Sequence, residues 1–203
     1  MSSKTEDALN DIAFMKALAE DGQRPAPDGG LVTFMAGLLF GGASLFCWTV
    51  QTGLVSVPWN TVNLTWTGAA LAFAVILVIT FLRRGPRNKR SSSQWTASLG
   101  MSIAIYTLGF AFSFAMYKVR QPVVMELFSA TVFAIYGAYW AVASAVTERA
   151  WYRWVSGVSF VSVVMIALLI NTPHVYLANA VALFLVACVP GIVLMRTQAA
   201  ARA

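Results

Sequence analysis

The sequence predicts an all-α integral membrane protein. The expected architecture is a bundle of six transmembrane helices, N-in/C-in, with a short cytoplasmic amphipathic helix ahead of the first span. Three observations carry this. First, 59% of the 203 residues are hydrophobic, only 11% are charged, and the mean hydropathy is +0.70. Soluble domains carry about 25% charge, so this chain has more apolar surface than a water-soluble core absorbs and lipid must cover part of it. Second, the apolar residues fall into six runs, each near the ~20 residues that cross a bilayer. Third, the positive charge is lopsided. Arg83, Arg84, Arg87, Lys89 and Arg90 sit within eight positions between two apolar runs. With the N-terminus inside, the inner segments hold twelve of the fourteen Lys and Arg residues, and the outer segments hold only Lys118 and Arg120. The positive-inside rule favours that orientation over its inverse, and residues 83–90 act as the cytoplasmic topology clamp.

Residues 1–30 form the first region. Thr5 is a plausible N-cap, with Glu6 and Asp7 in the first turn where the helix dipole favours acids. Leu9, Ile12, Met15 and Ala19 make an apolar stripe at helical spacing, and Gly22 stops the helix. The acidic start and the lack of a continuous apolar core argue against a signal peptide. Acidic side chains outnumber basic ones here, six to three, so the stripe suits a protein surface better than anionic lipid. Gln23 to Gly30 reads as a Pro/Gly linker.

The membrane domain is expected over 31–195, with spans at about 31–52, 62–82, 95–117, 122–146, 151–170 and 174–195, and a cytoplasmic tail over 196–203. In the first span, Gly37 and Gly41 form a small-xxx-small pair that lets another helix approach closely, in the monomer more readily than in a dimer. In the fourth, Ala130, Ala134 and Ala138 suggest a second close-packing ridge. In the sixth, Pro190 cannot donate to the Val186 carbonyl, which predicts a bend. Cys47 and Cys188 lie at different depths, too far apart for a disulfide.

Residues capable of chemistry are few. Glu126 is the acid placed within a span away from the inner face, and intramembrane acids mark functional sites by default. It lies ~6 Å along the helix from Pro122, near the outer interface, where an ion pair with Lys118 or Arg120 is the plainer reading. His174, the single histidine, begins the sixth span on the same side, so a proton-linked Glu126–His174 pair with Asn171 nearby is the sharper one. The hydroxyls of Thr65, Thr67, Ser102, Thr107, Ser113, Ser129 and Thr131 could line a path, but more readily bond helix carbonyls. Tyr106, Tyr136, Tyr139 and Trp140 suit packing better than a pocket.

With one histidine and no cluster of carboxylates within the spans, neither an enzyme nor a metal site is expected, and no cofactor. Nucleic acid is not an expected partner, because the basic residues flank apolar runs. The expected partners are the lipid bilayer and either another protein or a second copy. The leading expectation is a non-enzymatic accessory or regulatory subunit acting through protein contacts. The alternative is a small-solute transporter or channel using Glu126.

The stretch Asp11-Ile12-Ala13-Phe14-Met15-Lys16-Ala17-Leu18-Ala19-Glu20-Asp21-Gly22, with the Gly-Gly entry to span one and Pro190-Gly191 near the end of span six, resembles a group of bacterial six-span inner-membrane proteins that has no activity attached. The resemblance implies a bacterial cytoplasmic membrane and carries over no catalytic residue or cofactor.

Overall fold

The computed structural model describes residues 29–83, 92–121, 123–147 and 149–200. The helices are α1 (Gly29–Gln51), α2 (Trp59–Leu82), α3 (Ser92–Val119), α4 (Val123–Thr147), α5 (Ala150–Leu169), α6 (His174–Leu183), a π-helical turn (Phe184–Cys188) and α7 (Val189–Ala200). There is no strand among the described residues. Six helical segments are long and apolar enough to cross a membrane, the sixth running His174–Thr197 through the π turn. The protein is an all-α, six-span, multi-pass membrane bundle. The expected N-terminal stripe (Leu9, Ile12, Met15, Ala19), the clamp residues Arg84, Arg87, Lys89 and Arg90, and Arg202 in the tail lie outside the described residues. Arg83, which follows α2, is exposed.

The tightest packing joins α1 to the sixth span, antiparallel. A methyl group built on Gly37 would lie 2.7 Å from both the backbone N and the Sγ of Cys188. On Gly41 it would meet the Phe184 ring at 3.1 Å, and on Gly30 it would meet Met195 N at 2.7 Å. The reverse contact is as close, since a methyl on Gly191 would sit 2.6 Å from Phe34 N. The small-residue face of α1 therefore serves packing within the monomer, where short side chains let backbones approach and dispersion contacts accumulate.

Opposite Gly37 and Gly41, the sixth span widens. Val189 N–H reaches back five residues to Phe184 O instead of four. Pro190 explains the location: it has no N–H, and its ring crowds the carbonyl four residues earlier, so a local change of hydrogen-bond pattern relieves the ladder. Where a bend was expected, the structure shows a π turn immediately before Pro190. That turn occupies more radial space than α-helix, and the glycines of α1 make room for it.

A second antiparallel pair, α4 and α5, forms the rest of the core. Buried Phe133, Trp140, Tyr152, Ile166, Val186 and Leu194 bring α4, α5 and the sixth span together, and Phe40 of α1 packs against them. The inward face of α4 runs Ala130, Phe133, Gly137, Trp140, Ser144, all buried. Ala138 is exposed, so the Ala130–Ala134–Ala138 ridge does not face the core over its length. Residues four apart advance 400°, drifting about 40° per step around a 3.6-residue helix, and the third alanine leaves the face.

The remaining helices are peripheral. None of the spanning window of α3 is buried and only 17% of that of α2, against 56% for the sixth span. α2 and α3 make almost no close backbone approach to each other. They meet through long side chains: Phe73 stacks on Tyr106 at 6.4 Å between centroids, and the Tyr106 hydroxyl donates to Ala70 O at 2.7 Å.

Candidate functional site

The polar residues singled out from the sequence converge where α4 begins and α6 begins. Glu126 lies in the first turn of α4, where a carboxylate complements the helix dipole. Its Oε2 accepts a hydrogen bond from the backbone N–H of Asn171 at 2.9 Å. Asn171 sits in the α5–α6 turn with φ of 62°, a left-handed conformation that Asn tolerates better than most residues. The turn is tightened by Thr172, whose hydroxyl donates to Leu169 O at 2.7 Å. Glu126 therefore fastens a connection on the far side of the bundle core.

The structure brings Glu126 and Asn171 together but not in the expected pairings. Lys118 sits over the Phe114 ring, 5.5 Å from its centroid, Arg120 is exposed, and His174 is exposed at the start of α6. Among the described residues, no ion pair or hydrogen bond joins Glu126 to any of the three.

One to two turns deeper, a buried polar contact ties α1 to α6. Asn179 Nδ2 donates to Ser44 Oγ at 3.0 Å, and Ser44 Oγ donates to Tyr176 O at 2.8 Å. Ser44 is fully buried and Asn179 is 5% exposed, so each bond forms where water does not compete. Beside them, Trp66 Nε1 donates to Cys47 Sγ at 3.0 Å, which joins α2 to α1. Both cysteines are free. Ser156 Oγ donates to Gly137 O at 2.8 Å between α5 and α4.

The hydroxyls considered as a lining behave differently. Thr65, Thr67, Ser113 and Thr131 each donate to the carbonyl four residues earlier in their own helix. Tyr139, Trp140, Trp151 and Tyr152 pack as a ring cluster, with centroids 4.1 to 5.8 Å apart in neighbouring pairs. No group of three or more His, Cys, Asp or Glu side chains suited to a metal ion occurs among the described residues.

Sequence reasoning passed over the Ser44–Asn179 contact, which joins residues 135 apart. The available signal was Ser44 in the glycine-rich stripe of α1, one turn beyond Gly41. It also passed over the open groove between α4 and α5 lined by Ala141, Ser144, Ala145, Arg153 and Ser156.

No protein family, curated protein or solved structure matches this chain.

Proposed function

We propose that this chain is a non-enzymatic accessory or regulatory subunit of a bacterial inner-membrane assembly, working through contacts with the transmembrane helices of a protein partner, with both of its termini in the cytoplasm. The observation that carries this reading is the state of α3. Its Ile103, Phe110, Phe114 and Tyr117 follow one another at spacings of seven, four and three, which places them on one face, and all are more than half exposed. Beside that face, Gly100 and Ala104 are exposed, and a methyl built on Gly100 meets nothing within 4 Å. On α2, Leu64, Leu71, Val75, Val78 and Leu82 repeat the pattern around Gly68, which is equally open. Lipid covers such faces adequately, but exposed small-xxx-small steps beside large apolar side chains are the features that membrane helices use to associate.

The buried polar groups of the bundle support the same reading. Ser44, Ser156, Ser159, Ser162 and Asn179 bond one another or helix carbonyls, and Glu126 accepts from a backbone amide. A solute path through Glu126 accordingly has less support than a structural role for it. The cytoplasmic placement of the termini rests on the distribution of Lys and Arg.

The test is isolation of the full chain from its native membrane in mild detergent, with native mass measurement of the particle. A stoichiometric partner lost on Gly100→Leu, while the monomer still folds, supports the proposal. Deleting residues 1–22 tests the cytoplasmic stripe in the same way. A monomer of unchanged mass in all three preparations overturns it.

A further inference from the structure

We propose that the groove between α4 and α5, on the side of the bundle where α1 begins and α7 ends, binds the phosphate of an anionic phospholipid headgroup. This site is separate from the α2–α3 faces and stands or falls independently of them. The groove has a volume of about 650 Å³, is open rather than enclosed, and is lined by Ala141, Ser144 and Ala145 of α4 and by Arg153 and Ser156 of α5.

Three features select an anion. Arg153 lies in the first turn of α5 and is exposed. Among the described residues it has no ion pair or hydrogen bond. A cation there stands at the positive end of the helix dipole, an unfavourable position, and α5 has neither an acidic residue in its first turn nor a side-chain N-cap. The dipole and the guanidinium therefore add, and both favour a bound anion. Second, Ser144 lines the groove, is 6% exposed, and has no hydrogen-bond partner among the described residues. The buried serines Ser44, Ser156, Ser159 and Ser162 each donate to a carbonyl, so Ser144 is the exception. Its hydroxyl has no protein partner among the described residues on the wall that also carries the guanidinium, so it can donate to a bound anion. Third, small side chains leave the groove open: Ala141 and Ala145 are exposed alanines, and the Ser156 hydroxyl is engaged by Gly137 O.

The surroundings select a lipid as the source of the phosphate. Val142 and Trp154 on the same two helices are 64% and 78% exposed, so apolar side chains meet the surroundings at the same level as the lining residues. A Trp at this depth suits the headgroup boundary. Basic pockets between transmembrane helices bind anionic headgroups, and the planar guanidinium fork matches two phosphate oxygens.

The test uses the full chain in nanodiscs of phosphatidylcholine and phosphatidylglycerol with matched acyl chains, with retained lipid counted by native mass spectrometry. The wild type should retain phosphatidylglycerol in preference to phosphatidylcholine. Arg153→Gln should lower that retention about fivefold, while Arg153→Lys keeps most of it and Arg83→Gln, another basic residue on the same side, leaves it within about twofold. Equal retention of the two lipids, or equal losses from Arg153→Gln and Arg83→Gln, overturns the proposal. Displacement of the lipid by millimolar inorganic phosphate would assign the groove to a free anion and overturn the lipid source. Should Arg153→Gln fail to give a monodisperse protein, Ser144→Ala carries the test, and unchanged retention in that variant overturns the proposal.

Discussion

Replacing Gly37 by Ala should weaken the bundle while the same change at Gly42, five residues on, should not. The new methyl at 37 would lie 2.7 Å from Cys188 N and Sγ and 2.9 Å from Ala187 Cβ. Carbon contacts settle at ~3.5–4.0 Å, so α1 and the sixth span must separate by about 1 Å. That gap forfeits a quarter to a half of each dispersion contact it opens, at ~0.1–0.2 kcal/mol apiece, or about 1 kcal/mol over ten to twenty contacts. It also stretches the Asn179–Ser44 bond from 3.0 Å beyond hydrogen-bonding range, a further ~0.6 kcal/mol by the average for membrane helices. A methyl on Gly42 meets nothing within 4 Å. Both substitutions gain the same helix propensity, up to ~1 kcal/mol, so the difference between them isolates the packing cost at about 1.5 kcal/mol. Unfolding in mixed dodecylmaltoside and SDS micelles, followed by circular dichroism, measures it. Gly191→Ala should lose more, because its methyl meets the Phe34 backbone, and Gly41→Ala less, because it meets only the movable Phe184 ring. Equal stability of the Gly37→Ala and Gly42→Ala proteins would refute the reasoning.

Three further outcomes are expected in the same assay or beside it. Ser44→Ala and Asn179→Leu should each destabilise, and their double-mutant cycle should return a coupling of about 0.6 kcal/mol, with ~1.7 as the upper bound for such pairs; additive losses would contradict the contact. Glu126→Ala should cost about 1–2 kcal/mol, and Glu126→Gln less, because the amide oxygen still accepts from Asn171 N–H; Asn171→Gly should be near neutral and Asn171→Val should cost at least ~1 kcal/mol at that φ. Cys47 and Cys188, 1% and 8% exposed, should resist a water-soluble maleimide in mild detergent and react only on unfolding; rapid labelling of the folded protein would contradict the packing around them.

The helical spans were legible because lipid imposes length and composition on each crossing. The first span, expected at 31–52, is Gly29–Gln51, and the fifth, expected at 151–170, is Ala150–Leu169. A break in the regular ladder near Pro190 was legible from the missing N–H, but its form as a π turn was not. Whether the strain appears as a kink or a widened turn depends on the room across the interface, and that room comes from Gly37 and Gly41 on another helix. The partner of Glu126 was hidden for a related reason. Reading the sequence pairs a carboxylate with a cationic side chain, and Lys118 and Arg120 stood close by. The actual donor is a backbone amide 45 residues away, which every residue but proline carries and no letter announces. Ser144 and Arg153 belong to two different expected spans, 122–146 and 151–170, and only the antiparallel packing of α4 on α5 places them on one groove.

The most direct test of the contact-based account is photo-cross-linking in the native membrane from single positions on the bundle surface. A cross-linker in place of Phe110 on α3 should capture one defined protein chain, and capture should be lost on Gly100→Leu. The same group in place of Leu168 on α5, which is 74% exposed, should label lipid alone. Labelling of lipid alone from both positions would contradict the proposal that α3 is the face through which this protein acts.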